Sequence, residues 1–170
     1  MTAMKVEDFL AQSDLAIDVV AVDKVGLLKD LSVRSGARLN LEPERILSEL
    51  LKREQLGSTG MGGGVAIPHA RLHAVQRPFA ILFRLKKPID FAAVDDNPVD
   101  IIALLLLPDS QGGAALSALA CIARKLRDPI AMTRLRLRAR QHGTLPSPST
   151  KVGPPWHLTS NGGFSPPGAA

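Results

Sequence analysis

The N-terminal third of the chain alternates between apolar and polar residues with a helical period. Apolar residues three apart over residues 23–35, followed by Gly36, predict a helix that ends at that glycine. A clearer pattern covers residues 42–56, where Pro43 suits a first helical turn. The apolar stripe of this second helix consists of Ile46, Leu47, Leu50 and Leu51. We therefore predict two consecutive amphipathic helices.

The remaining apolar segments predict strands and further helices. Residues 79–85 and residues 99–107 predict strands, and the second run is almost uninterrupted, which is typical of a strand buried on both faces. Residues 15–22 are a third candidate strand. Helical spacing returns over residues 114–126, and Pro129 permits another helix after them. This order of elements predicts an α/β fold with a mixed β-sheet flanked by helices.

The C-terminal end has a different composition. From Gly143 onward the chain is rich in Pro, Gly and Ser and has almost no periodicity, which predicts a disordered tail. We therefore predict a single folded domain over residues 1–140 and a disordered tail over residues 141–170.

Composition narrows the class of protein without deciding its function. The chain has 170 residues, 45% of them hydrophobic, and its one cysteine, Cys121, rules out a framework of disulfides within the chain. The N-terminus has acidic residues early and lacks the apolar run of a secretory signal, and the longest apolar run, residues 101–107, is too short to cross a bilayer. We expect a cytoplasmic protein without membrane insertion.

Charge is distributed unevenly along the chain. Residues 1–110 carry a net charge of −2 and residues 111–170 a net charge of +7, so the high isoelectric point belongs to the C-terminal end. The Arg-rich stretch, residues 124–140, has no interleaved aromatic residues and matches no nucleic-acid-binding module. We read it as a solvated helix face and predict no nucleic-acid partner.

Chemistry is concentrated in the stretch GSTGMGGGVAIPHAR, residues 57–71. Its glycines allow successive backbone N–H groups to point into one concavity, which suits an anion such as a phosphoryl group. Hydroxyl groups at the same place add further donors. The predicted phosphoryl-binding loop consists of Ser58, Thr59, Gly60, Gly62, Gly63 and Gly64.

His69 is the candidate nucleophile that follows this loop. A neutral imidazole is nucleophilic near neutral pH, and the rigid Pro68 before it helps to orient the ring. Arg53, in the last turn of the preceding helix, has a guanidinium that could hold phosphoryl oxygens. Two plainer interpretations remain open, a structural histidine at a strand end and a solvated arginine. His73 lies four residues further on, but no third ligand has suitable spacing, so we predict no metal site.

The run REQLGSTGMGGGVAIPHARL, residues 53–72, resembles the active-site signature of the phosphotransferase-system enzyme IIA domains of the mannitol/fructose type. Its features most resemble the stand-alone nitrogen-regulatory branch, and the resemblance covers roughly residues 5–135. The resemblance implies the mixed-sheet fold of those domains and a phosphoryl group carried on His69 as tele-phosphohistidine, with Arg53 nearby to stabilise charge. It implies no metal and no organic cofactor.

The same resemblance implies partners and a function. The phosphoryl donor is expected to be a small histidine-phosphocarrier protein, and the chain is expected to be a phosphotransferase in the sense of a carrier rather than a classical turnover enzyme. The leading interpretation is a nitrogen-regulatory phosphocarrier whose phosphorylation state controls target proteins. The alternatives are a IIA component that feeds a IIB domain of a fructose- or mannitol-type sugar transport system, and a binding module impaired in transfer.

Two departures from the family pattern bear on these expectations. Many relatives carry a second histidine at the start of the helix after the long buried strand, where alignment places Ala115. The nitrogen-regulatory branch ends in a further acidic, leucine-containing helix, whereas this chain has the unrelated segment of residues 134–158. The abrupt change suggests a divergent end or a shift of reading frame. Sequencing the 3′ end of the gene decides between them.

Overall fold

The structure, a computed structural model, describes residues 4–109 and 113–138. Two short 3₁₀ helices, Val6–Asp8 and Gln12–Asp14, precede the main elements. In chain order the main elements are β1 (Leu15–Val19), α1 (Lys24–Leu39), α2 (Pro43–Gln55), β2 (Gly60–Gly62), β3 (Val65–Ala66), β4 (His69–Leu72), β5 (Phe79–Ile89), β6 (Val99–Pro108), α3 (Ala114–Arg127) and α4 (Pro129–Arg138).

The strands form one mixed sheet of six strands in the order β1-β5-β6-β3-β2, with β4 also paired to β6. Strands β1 and β5 are parallel, β5 and β6 antiparallel, and both β3 and β4 run parallel to β6. Short β2 and β3 form an antiparallel hairpin at the edge. The predicted mixed sheet flanked by helices is confirmed.

Strand β6 is the centre of the molecule and divides its core into two layers. Its side chains alternate between the faces of the sheet, as the period of a strand requires. Ile102, Leu104 and Leu106 pack with α1 and α2, whereas Ile101, Leu105 and Leu107 pack with α3 and α4. Each of these six side chains is at most 1% exposed. The burial of this strand on both faces, predicted from its uninterrupted apolar sequence, is therefore confirmed.

The predicted end of the first helix is wrong. Gly36 lies inside α1, which continues to Leu39 and ends at Asn40 in the left-handed conformation, with φ of 54°. The chain then turns back over the helix, and the Leu41 carbonyl would lie 2.6 Å from a Cβ added at Gly36. This glycine permits a close approach of backbone to helix rather than a helix stop.

The sequence patterns also missed three short strands. Strands β2, β3 and β4 lie within or directly after the glycine-rich stretch, where glycines obscure the period of a strand. The predicted disordered tail, residues 141–170, lies outside the described residues. The predicted end of the domain at residue 140 also lies outside them, because residue 138 is the last that the structure describes.

Candidate functional site

The ring of His69 is held by two hydrogen bonds of opposite kind. Nδ1 lies 2.8 Å from the carbonyl oxygen of Ile67, and Nε2 lies 3.0 Å from Nε of Arg53. A carbonyl can only accept and a guanidinium can only donate, so Nδ1 carries the proton and Nε2 carries the lone pair. Both partners select the same neutral tautomer, in which Nε2 is the nucleophilic atom.

The fold brings these two side chains together from different layers. His69 is the first residue of β4 and pairs with Leu105 of β6, whose N–H donates to the carbonyl of Pro68 at 2.9 Å. Arg53 lies in the last turn of α2, which packs on β4, and its Nη1 also donates to the carbonyl of Gly57 at 3.0 Å. The ring therefore projects from a strand anchored to the centre of the sheet.

Electrostatics favour the neutral ring. Burial lowers the pKa of His69 below its ordinary value of 6.5, because desolvation penalises the charged imidazolium. The hydrogen bond to the Ile67 carbonyl opposes this change, and the positive charge of Arg53 lowers the pKa further. At neutral pH the lone pair on Nε2 is therefore available.

His69 lies half-buried between two surface depressions. One depression, of about 880 Å³, lies along the surface between α2 and β4 and is lined by charged side chains of both signs, among them Arg45, Arg71, Glu49 and Asp109. The other, of about 640 Å³, lies between the glycine-rich loop and α3 and is mostly apolar. Arg53 and His69 border both depressions.

Exposed apolar side chains surround the site. Leu56, Val94 and Leu116 come from three different segments and are 85%, 77% and 67% exposed. Each lines one of the two depressions. A group of large apolar side chains exposed around a nucleophile is typical of a surface that docks another protein.

The predicted phosphoryl-binding loop is split by the structure. Ser58, Thr59 and Gly60 line the apolar depression together with His69. Their polar groups are already engaged: Ser58 Oγ donates to the carbonyl of Phe91 at 2.9 Å and accepts from the N–H of Gly60 at 3.1 Å. A phosphoryl-binding role for these three residues stays a prediction.

The structure does not bring Gly62, Gly63 and Gly64 into either depression. They form the tip of the β2–β3 hairpin with φ of 90°, 63° and 78°. The N–H of Gly63 donates to Asp95 Oδ2 at 2.9 Å, so it does not join a row of free amides beside His69. The predicted nest of successive amides is therefore interrupted, because internal carboxylates take the donors.

The hairpin tip is instead fastened to the C-terminal helix. Arg136 of α4 donates to the carbonyl of Gly63 at 2.9 Å and to both carboxylate oxygens of Asp100 at 2.7 and 2.8 Å. A Cβ added at Gly64 would lie 2.6 Å from Nη2 of Arg136 and 2.8 Å from Oδ1 of Asp100. The glycine at position 64 is thus explained by a close ion pair and a positive φ.

Ala115 does not face the site. It is 1% exposed and belongs to the core layer beneath α3, whereas Leu116 and Leu119 of the same helix line the depression beside His69. The position where alignment places the second histidine of many relatives is therefore directed into the core in this chain. The side chains that α3 presents to the depression are apolar, apart from Arg127.

Sequence reasoning missed a buried carboxylate next to Arg53. The side chain of Glu54 is 7% exposed, pairs with Lys24 at 2.6 Å, and accepts from both the N–H and the hydroxyl of Thr59 at 2.9 and 2.7 Å. Burial alone would raise the pKa of Glu54, but hydrogen bonds from Lys24 and Thr59 outweigh it and lower the pKa. Glu54 continues the apolar stripe of α2, four residues after Leu50, and a charge at such a position is the signal that could have revealed it.

Two further features of the described chain bear on the predicted chemistry. Within residues 4–109 and 113–138, no group of three His, Cys, Asp or Glu side chains is arranged to hold a metal ion. His69 begins a strand rather than a helix, so His73 does not share a helical face with it. No helix in the same residues combines the length and apolar character needed to span a bilayer.

Comparisons of sequence place this chain in a known family. The profile of the family described as "Phosphoenolpyruvate-dependent sugar phosphotransferase system, EIIA 2" matches residues 8–142. A nitrogen regulatory protein of Bradyrhizobium diazoefficiens is 40% identical over 133 residues, which are 78% of this chain and 87% of the relative. A nitrogen regulatory protein of Escherichia coli K12 is 37% identical over 110 residues, 64% of this chain and 68% of the relative.

Solved structures agree with this assignment. Nitrogen regulatory protein IIA-Ntr from Neisseria meningitidis superposes with a TM-score of 0.71 at 31% identity, covering 75% of this chain and 88% of that one. The mannitol IIA protein of Escherichia coli superposes with a TM-score of 0.61 over 79% of this chain and 92% of that one; at 18% identity it shows the fold alone. The chain therefore belongs to the EIIA type 2 family of the phosphotransferase system, and its relatives in that family include nitrogen regulatory proteins.

Proposed function

We propose that the protein is a regulatory phosphocarrier that takes a phosphoryl group onto Nε2 of His69 from a histidine-phosphocarrier protein. One observation supports this most strongly: the carbonyl of Ile67 and the guanidinium of Arg53 both fix the tautomer whose lone pair is on Nε2. The resulting nucleophile is half-buried, neutral, and bordered by exposed apolar side chains that suit a protein donor rather than a free small molecule.

In the proposed transfer, the N–P bond of the donor phosphohistidine breaks and its electron pair returns to the donor ring. A new N–P bond forms with the lone pair of His69 Nε2. The proton on Nδ1 stays in its hydrogen bond to Ile67, and the positive charge that the ring gains is opposed by the phosphoryl oxygens. Such transfer needs in-line positioning and charge stabilisation more than covalent catalysis.

Arg53 has two successive roles in this proposal. At rest its Nε–H donates to Nε2 and holds the ring. When the phosphoryl group arrives, the guanidinium turns from the nitrogen to the phosphoryl oxygens, where a planar fork of donors matches two oxygens at once. Its anchor on the Gly57 carbonyl keeps it within reach during this change.

Regulation would follow from the added charge. A phosphoryl group on His69 brings up to about two negative charges to the boundary between the charged and the apolar depression. The surface then presents different partners with a different electrostatic face. Nitrogen regulatory relatives favour control of target proteins over sugar transport as the use of this switch.

The test is incubation of the purified protein with a phosphorylated histidine-carrier protein. We expect an acid-labile label on the wild type, none on His69→Ala, and retained label on His73→Ala as the matched control. Nuclear magnetic resonance on ³¹P and ¹⁵N assigns the modified nitrogen, which we expect to be Nε2. Label that persists in His69→Ala contradicts the proposal. Rapid onward transfer to the cysteine of a IIB domain would favour a sugar-transport component instead.

A further inference from the structure

A continuous set of hydrogen bonds joins an ion pair between helices α1 and α2 to the ring of His69. Lys24 Nζ lies 2.6 Å from Glu54 Oε1, and Glu54 accepts from the N–H and the hydroxyl of Thr59. The carbonyl of Thr59 accepts from the N–H of Ile67 at 3.0 Å. The carbonyl of Ile67 then accepts from Nδ1 of His69 at 2.8 Å. The position of the ring's partner therefore depends on a carboxylate two hydrogen-bonded steps away.

The location of this carboxylate is energetically unfavourable by itself. Burying an ionised carboxyl destabilises the folded state unless the group is paired and hydrogen-bonded, and an apolar residue at the same stripe position of α2 would avoid that cost. Glu54 is nevertheless ionised, since hydrogen bonds from Lys24 and Thr59 lower its pKa. It makes no hydrogen bond to His69 or Arg53 among the described contacts. Its bonds go to the loop segment at Thr59 and to Lys24.

We propose that Glu54 is a positioning residue for phosphoryl transfer. Its two hydrogen bonds fix Thr59, Thr59 fixes Ile67, and the carbonyl of Ile67 keeps the proton on Nδ1 of His69. The lone pair therefore stays on Nε2, where Arg53 and the incoming phosphoryl group meet it. The effect on transfer rate rests on the function proposed above, whereas the effect on the tautomer concerns the free protein alone.

Loosening this set of bonds has a specific consequence. If the carbonyl of Ile67 moves away from Nδ1, the Arg53 guanidinium alone still favours the lone pair on Nε2. The tautomer with the proton on Nε2, which has no lone pair there, then gains population relative to the wild type. The rate of transfer falls with the population of the competent tautomer. Docking of the carrier is expected to be unaffected, because the side chain of Glu54 is 7% exposed and Thr59 is 6% exposed, so neither belongs to the exposed apolar side chains around the site. The expected signature is a lower maximal rate at an unchanged half-saturating concentration of carrier.

The first experiment measures the tautomer in the free, full-length protein. Imidazole ¹⁵N resonances are recorded for wild type, Glu54→Ala and Thr59→Val, at a pH where the ring of His69 is neutral. We expect one tautomer, protonated on Nδ1, in the wild type and a mixture in both variants. Thr59→Val keeps the shape of the side chain and the backbone amide, so it remains informative if Glu54→Ala does not fold.

The second experiment measures the labelling rate from a phosphorylated histidine-carrier protein. Glu54→Ala is expected to lower the maximal rate about tenfold, and Glu54→Gln, which keeps an acceptor oxygen, to restore most of it. Asp30→Asn is the control, since Asp30 pairs with Arg34 at 3.2 Å on the exposed side of α1, away from the site. Its rate and its His69 tautomer should match the wild type.

The outcomes separate this inference from the function on which it rests. An unchanged tautomer in folded Glu54→Ala and Thr59→Val overturns the positioning role, whatever the labelling shows. An increase confined to the half-saturating concentration of carrier overturns it as well. Absence of any label on the wild type, with mixed tautomers in the variants, supports the positioning role and contradicts the proposed function alone.

Discussion

The two ends of the glycine-rich segment are held by different chemistry. Near His69, a backbone carbonyl and the Arg53 guanidinium set the direction of single hydrogen bonds, and the nitrogen that faces the surface depressions carries a lone pair. At the hairpin tip, full charges surround the glycines: Asp95 takes the Gly63 amide, and Arg136 pairs with Asp100 over Gly64. One end is arranged to react and the other to hold the hairpin in place. A string of glycines therefore does not by itself delimit an anion-binding site.

Replacement of Arg53, at the His69 end of the segment, should have the largest effect on the labelling rate. Replacing it by Ala removes the donor to Nε2 and the guanidinium proposed for the phosphoryl oxygens. We expect the labelling rate to fall by roughly 10²–10³-fold, the range found when one preorganised donor is removed from a transition state. Arg53→Lys should recover part of the rate, because it restores the charge without the planar fork. A rate within threefold of wild type for Arg53→Ala would leave Arg53 as a structural residue only.

Two glycines of the hairpin tip allow a comparison between a position with close neighbours and one without them. Gly64→Ala places a Cβ against Arg136 and Asp100 at positive φ, whereas at Gly63, also at positive φ, a Cβ meets nothing within 4 Å. We expect Gly64→Ala to lower the free energy of unfolding by about 2–3 kcal/mol and Gly63→Ala by about 1 kcal/mol. Denaturant titration measures both. Equal losses would show that strain in φ, rather than the ion pair, determines the need for glycine.

Acidification should lower the labelling rate by protonating the ring of His69. Because burial lowers the pKa of His69 below 6.5, the ring stays neutral until the pH has fallen below that ordinary value. The labelling rate should then decline about tenfold per pH unit as Nε2 takes up a proton. The contribution of this neutral ring to stability is present above the unfolded pKa and is lost as the pH falls through the lowered, folded pKa. A rate that already declines from pH 8 to pH 7 would contradict the direction of the shift.

The smallest effect should come from Arg136 at the charged end. Its ion pair with Asp100 is partly exposed, since the two side chains are 40% and 22% accessible. Arg136→Met should therefore lower the free energy of unfolding by only about 1 kcal/mol. The maximal labelling rate should stay within about twofold of wild type, because the hairpin tip lies outside both depressions beside His69. A much larger fall in the maximal labelling rate of folded Arg136→Met would show that the hairpin tip contributes to phosphoryl transfer.

Sequence patterns determined the centre of the fold better than its edges. The apolar run of β6 and the stripe of α2 predict buried elements because burial on one or two faces leaves a direct mark on composition. Gly36 misled the prediction, since its reason is a contact with the Leu41 carbonyl that local sequence does not reveal. The fastening of Gly63 by Arg136, 73 positions away, is likewise a tertiary contact.

The site was predicted only in part, because local sequence shows the chemistry of its side chains but not their tertiary contacts. The chemistry of a histidine after a glycine-rich loop suggested His69, and the place of Arg53 in the last turn of the preceding helix suggested its guanidinium as a partner. The resemblance to a known signature then supported both. The structure shows their hydrogen bond at 3.0 Å, although their proposed roles await experiment. The role of the Ile67 carbonyl could not be read from an apolar side chain, because only its backbone takes part. Glu54 was visible as a charge on an apolar stripe, yet its partners come from α1 and the loop.

The guanidinium that covers the resting imidazole has a consequence for reactivity beyond transfer. An arginine side chain does not give up its proton at any physiological pH, so it cannot leave Nε2 by neutralisation. A zinc ion or an alkylating reagent that approaches this nitrogen must first displace a fixed cation. We therefore expect Nε2 of His69 to be shielded from electrophiles that carry no negative charge, whereas a phosphoryl group brings oxygens to which the guanidinium can turn.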